Sequence, residues 1–160
     1  MSAPRTIMHI LSILVFALFA TLASAQDRPP YGTAVNVATA KKIAAGALAE
    51  CQKNNWRVAV AIVDNHGFLL YYEMIDDTQT SSAQIAVDKA KAAAMYRRPT
   101  RVFLDTIAKA GPAIMTLPGV VASPGGLPIM VGGKVIGGVG VSGVTGDQDE
   151  QCAKAGLSAM

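Results

Sequence analysis

Apolar residues recur along this chain at helical spacing in some stretches and as short, nearly continuous runs in others, and the changes of pattern mark out the elements. Val37, Ala40, Ile43, Ala44, Ala47 and Leu48 fall on one helical stripe behind Asn36, a good capping residue, and Asn54-Asn55 ends it. Arg57 to Val63 is rich in Val, Ile and Ala. After Asp64-Asn65-His66-Gly67, four residues suited to tight backbone turns, the chain returns as Phe68 to Met74, which predicts a β-hairpin. Ser81 followed by Gln84 has the capping-box form and heads an alanine-rich helix to about Tyr96. Arg98-Pro99 stops that helix, because proline disfavours helical geometry in the residue before it. Thr100 is the expected cap of a shorter helix to about Ala110, closed by Gly111-Pro112.

The segment from Gly125 to Met160 carries the strongest pattern. Leu127 to Val131 and Lys134 to Val141 are apolar runs joined by Gly132-Gly133, a dipeptide that accepts the positive φ angles of a two-residue hairpin turn. Glycines at 125, 126, 132, 133, 137, 138 and 140 imply that something comes close to these strands, either another backbone or a ligand. Before them, Met115 to Gly126 reads as a loop punctuated by Pro118, Gly119 and Pro124, with a short strand expected at Val120 to Ala122. After them, Asp147 is the expected cap of a final helix whose early acids, Asp149 and Glu150, suit the positive end of a helix dipole. Strands joined by tight turns run antiparallel, so the reading is a single α+β domain over residues 37–160 with a central antiparallel sheet of about five strands.

Residues 1–25 read differently. Arg5 supplies a basic start, Ile7 to Leu22 is mostly apolar, and Ala23-Ser24-Ala25 is a small-residue cleavage site, the three parts of a secretory signal peptide. The apolar stretch is shorter than the ~20 residues a spanning helix needs, so no stable membrane span is expected after cleavage. Residues 26–36 then form a short flexible leader, and the protein is expected to be periplasmic or secreted. Loss of Arg5 lowers the Lys and Arg count by one from 14, against 11 Asp and Glu. The mature charge of about +2 gives no ground for nucleic-acid binding. Cys51 lies late in the first helix and Cys152 early in the last, so a bridge requires those helices to pack side by side; the alternative is two buried thiols.

Three stretches together resemble the HbpS/GlcG family of small haem-binding or haem-degrading-like proteins, related to the C-terminal domain of PduO. They are Asp64-Asn65-His66-Gly67-Phe68-Leu69, then Ala86 to Ala90 with Arg98-Pro99-Thr100, then the glycine-rich hairpin with Asp147-Gln148-Asp149-Glu150. The resemblance spans roughly Val37 to Leu157. It implies a profilin-like layered sandwich with helices on both faces of the sheet, and a homo-oligomer. It also implies a pocket around Lys89, Thr100, Pro118-Gly119, Gly125-Gly126 and Ser142-Gly143. Iron-binding members carry a Glu-x-x-Glu pair on the alanine-rich helix; here those positions are Gln84 and Val87.

The chemistry on offer is limited. There is no Cys-x-x-Cys, His-Glu-x-x-His, phosphate loop or Gly-x-Ser-x-Gly, and His66 is the one histidine after residue 25. With no catalytic constellation the chain reads as a binding module rather than an enzyme, and the HbpS/GlcG resemblance implies haem or another tetrapyrrole as its ligand. Haem needs an apolar slot, groups for its propionates and commonly a His, Met, Tyr or Cys donor. His66 is the candidate metal ligand, with Tyr96 and Met130, then Met74 and Met115, as other donors; Tyr96, Arg97 and Arg98 are the expected ring and propionate contacts. The alternative is an enzyme or accessory protein acting on a small organic acid in a catabolic pathway, for which Lys89 supplies charge, Thr100 and Ser142 hydroxyls, and Gly125-Gly126 backbone N–H groups lining an open glycine cleft. Expression with the native leader in a bacterial host should release an exported protein beginning at Gln26, as read by intact mass. Retention of residues 1–25 in a membrane fraction would contradict this.

Overall fold

The computed structural model describes residues 28–160; the segment assigned to a signal peptide lies outside them. The elements are α1 (Val37–Lys53), β1 (Ala59–Asp64), β2 (Leu69–Met74), α2 (Ser82–Tyr96), α3 (Arg101–Ala110), a 3-10 turn (Pro112–Thr116), β3 (Gly126–Val131), β4 (Lys134–Ser142) and α4 (Gly146–Ser158). The sheet runs β2-β1-β4-β3 with every neighbouring pair antiparallel. It has four strands rather than about five. The segment at Val120 to Ala122 forms no strand, because it crosses in front of α2 and lies along no sheet edge that could pair with it.

The two faces of the sheet are built from residues of different size. Val60 and Ile62 of β1, Val139 and Val141 of β4 and Leu127 and Ile129 of β3 point to one side, where they bury against Ile43, Ala44, Ala47 and Leu48 of α1 and Ala153 of α4. Helices α1 and α4 lie side by side on this face, and Cys51 and Cys152 form a disulfide between them with Cα atoms 5.7 Å apart. The bridge closes a loop of about a hundred residues, which in the chain-entropy view is worth about 4–5 kcal/mol.

On the other face nearly every side chain is small. Ala61 pairs with Gly140 and Val63 with Gly138, and Gly140 pairs in turn with Gly126 of β3. Helix α2 lies directly on this surface through Ala86, Ala90 and Ala94. A Cβ at Gly140 would overlap the Ala86 carbonyl, one at Gly138 the Ala90 carbonyl, and one at Gly126 the Lys89 carbonyl. Backbone meets backbone at van der Waals distance, so it is another backbone that accounts for the glycines of β4.

Cap details differ from expectation. Asn36 does cap α1, accepting from Thr39 N at 2.8 Å. Ser81 makes no capping hydrogen bond, and α4 is capped by Thr145 with Gln148 in a capping box, not by Asp147. Residues 28–36, the described part of the expected flexible leader, make contacts with the domain. Tyr31 bridges Val135, Gly32 N donates to Val135 O at 2.9 Å, and the Tyr31 hydroxyl donates to Met95 O at 2.8 Å.

Gly140→Ala should cost about 3 kcal/mol, since a backbone carbonyl cannot swing aside for the new methyl. Gly132→Ala, where a Cβ meets open space and only the positive φ of 55° resists, should cost about 1–2 kcal/mol. Urea midpoints of the two variants check the ranking.

Candidate functional site

Because α2 gives its alanine stripe to the sheet, its opposite flank faces outward. Asp88, Lys91, Met95 and Tyr96 on that flank, with Pro118 to Val121 of the following loop, line an open cleft of about 320 Å³. Tyr96 fastens one end, its hydroxyl donating to Pro118 O at 2.7 Å and its ring meeting the buried Phe103 edge-on at 5.3 Å. Met95 is 56% exposed, a thioether left at the surface. The turn at Gly67 packs beside it: a Cβ there would stand 3.1 Å from Met95 Sδ and 3.6 Å from Lys91 Cγ. Asp88 is engaged on its own helix, accepting from the Gln84 amide at 2.9 Å. A second hollow, of about 240 Å³ beside Trp56, is lined by Gln52, Asn55, Arg57 and Ile75 and offers iron no donor of the usual kinds.

The structure does bring together Lys89, Thr100, Gly125, Gly126 and Ser142, but in the interior. Lys89 Nζ donates to Asp149 Oδ2 at 2.8 Å and to Val141 O at 3.0 Å, with both charged side chains almost wholly buried. Burial pushes the Asp149 carboxyl above its ordinary range, opposed first by the Lys89 ammonium and then by hydrogen bonds. Gly125 packs on this pair, and a Cβ there would stand 3.0 Å from Lys89 Nζ. Thr100 Oγ1 donates to Ser123 O at 2.6 Å and accepts from Gly126 N at 3.0 Å, which pins the loop to the start of α3. Ser142 is buried at the end of β4 opposite Ala59. The glycine-lined cleft expected from the sequence is thus filled by the protein's own atoms, and Lys89 is committed to Asp149 rather than open to a small organic acid.

The basic cluster is likewise occupied. Arg97 ends α2 in the left-handed conformation, stacks its guanidinium 5.2 Å from the Tyr31 ring centre and donates to Pro29 O at 3.2 Å. Arg98 lies 5.8 Å from the Phe103 ring centre. Arg101, which with Arg97 and Arg98 makes up the basic cluster of the sequence, ties α3 to α4 through Asp147 and through Glu150 at 2.8 Å. Hydrogen bonds to Asp147 and then Glu150 raise its already high pKa. His66 is exposed in the β1–β2 turn, its backbone N–H donating to the Asp64 carboxylate at 2.8 Å. Gln84 is exposed and Val87 packs against the α2 alanine cluster. Among the described residues, no three His, Cys, Asp or Glu side chains gather where they could hold a metal ion. Sequence reasoning passed over Met95; its pairing with Tyr96 at the helix end was the available signal.

The family model described as "Haem degrading protein HbpS-like" matches residues 35–158. This chain belongs to the HbpS-like family. Protein GlcG of Escherichia coli (strain K12) is 40% identical over 103 residues, covering 64% of this chain and 77% of that protein. Among solved structures, a double mutant of Streptomyces reticuli HbpS superposes with a TM-score of 0.76 at 31% identity, covering 88% of this chain and 97% of that one. The PduOC:heme complex superposes with a TM-score of 0.74 at 26% identity, covering 80% of this chain and 96% of that one. Within this HbpS-like domain the Lys89–Asp149 pair should behave as a structural unit. Lys89→Met and Asp149→Asn are each expected to cost about 3–5 kcal/mol, because the partner is left charged and buried. The Lys89→Met/Asp149→Leu double variant should recover much of that loss in a denaturation cycle.

Proposed function

We propose that this chain is an exported haem- or tetrapyrrole-binding protein that takes its ligand in the cleft between α2 and the Pro118–Val121 loop. The observation that carries the reading is the composition of that cleft: an apolar wall of Val120, Val121 and Pro118, an aromatic ring at Tyr96, a thioether at Met95 and an ammonium at Lys91, with the Asp88 carboxylate, engaged by the Gln84 amide, also lining it. A tetrapyrrole is a flat apolar disc with carboxylates at one edge, and this donor set meets both requirements. The family's description and the heme complex of the PduOC relative support the same ligand class. When bound, haem would supply its iron as a centre for ligand or electron exchange; the chain's residues would hold and orient it.

Export is part of the proposal, supported by the leader pattern and by the Cys51–Cys152 bridge, which suits a periplasmic or extracellular setting. No helix among the described residues is long and apolar enough to cross a membrane. Self-association belongs to the proposal too, since Leu69, Tyr72 and Met74 stand exposed on the edge strand β2. The layered arrangement, with α1 and α4 on one face and α2 on the other, is read as profilin-like.

Titration of the mature protein with haemin, followed at the Soret band, should saturate at about one haem per chain. Tyr96→Ala should weaken binding about tenfold, since it removes one wall and the tether to Pro118. Failure of haemin to saturate the wild-type protein would overturn the function.

A further inference from the structure

The haem reading leaves open which atom would meet the iron, and the geometry narrows the choice. Iron in haem accepts His, Met, Tyr or Cys from the protein. Both cysteines are consumed in the disulfide. The Tyr96 hydroxyl is donated to Pro118 O and its ring is held against Phe103, so using its oxygen would dismantle the wall of the cleft. Met74 lies on β2 and its sulfur already accepts from the Tyr72 hydroxyl at 3.2 Å. Met130 is on β3 and Met115 in the 3-10 turn, and neither lines the cleft. His66 stands on the neighbouring turn, outside the lining residues.

Met95 is the donor that lines the cleft, and its placement is unusual for its type. An unbranched apolar side chain is 56% exposed one residue before the end of α2, beside Tyr96 and seated on Gly67. Glycine at 67 leaves room for the sulfur, and the Asp64 carboxylate holds that turn rigid by accepting from His66 N at 2.8 Å and Phe68 N at 2.9 Å. Lys91 is one helical turn before Met95 on the same flank and leans on the same turn, so a cation and a soft sulfur donor face one opening.

We propose that Met95 Sδ is the protein's axial donor to the iron of a bound tetrapyrrole, with Lys91 contacting a carboxylate at the ring edge. The proposal rests on the haem reading. A thioether is a soft ligand that favours ferrous over ferric iron and raises the reduction potential of a haem. The two residues therefore have separable signatures: Met95 sets spectrum and potential, Lys91 sets affinity.

Haemin titration and spectroelectrochemistry on the wild-type protein, Met95→Leu, Met95→His, Lys91→Glu, His66→Ala and Met115→Leu provide the test. Met95 is a surface position and Met95→Leu conserves volume, so the fold should persist in this variant, as an unchanged thermal midpoint would show. Met95→Leu is expected to shift the Soret band, lower the potential and weaken binding about tenfold. Met95→His should restore affinity with a lower potential than wild type. Lys91→Glu should weaken binding about tenfold with the spectrum preserved, and Met115→Leu should change nothing. If wild type binds haemin but Met95→Leu gives a superimposable spectrum and potential, or if His66→Ala alone abolishes the spectral signature, the Met95 assignment is overturned while the haem function stands. If wild type does not bind haemin, the function itself fails and the assignment with it.

Discussion

The closeness of α2 to the sheet governs the rest of this molecule. A helix normally rides on a layer of interlocked side chains, but here the carbonyls of Ala86, Lys89 and Ala90 rest on Gly140, Gly126 and Gly138. Such contact requires small residues where the backbones touch, which is why Ala59, Ala61 and the glycines of β4, with Val63 beside them, face Ala86, Ala90 and Ala94. Most of the larger side chains lie on the opposite face, where Ile62, Val139, Val141 and Ile129 meet α1 and α4. The resulting core is asymmetric: one side is held by side-chain volume and the other by proximity of backbones.

The buried ion pair follows from that geometry. Lys89 lies between Ala86 and Ala90 on the face that turns inward, so its ammonium is carried into the interior and must find a counter-charge. Asp149 on α4 supplies it, and Val141 O and Val144 N complete the hydrogen bonding. Bringing both charges out of water offsets most of their mutual attraction. The pair's consequence is therefore positional: it joins α2 to α4 past the end of the sheet, and Gly125 and Thr100 set the adjoining loop against it.

The same docking decides what remains for a ligand. With its alanines and Lys89 turned inward, α2 presents Asp88, Lys91, Met95 and Tyr96 to solvent, and the loop that would have been a fifth strand crosses in front of them. The positions where the family resemblance leads one to expect carboxylates hold an amide at Gln84 and an aliphatic side chain at Val87. The flank of this HbpS-like protein thus leaves a thioether at Met95, an ammonium at Lys91 and a carboxylate at Asp88 lining the open cleft.

The helical stripe from Val37 to Leu48, the hairpin about Asp64 to Gly67 and the paired runs flanking Gly132-Gly133 were legible in the sequence, because each depends on a local period or on residues in direct succession. The requirement for close approach at the β4 glycines was legible for the same reason; a missing side chain is visible in one dimension. Whether a helix or a ligand would make that approach was not, since the answer lies with residues about fifty positions earlier. Lys89 could be seen as a cation but not as a buried one, because its partner is 60 residues away. Met95 was passed over because its exposure depends on which flank of α2 the sheet leaves free. Spacing along the chain determined the elements; only tertiary packing decided that α1 and α4 lie side by side so that Cys51 and Cys152 meet, and which polar groups the docking of α2 on glycine sealed inside or left lining an opening.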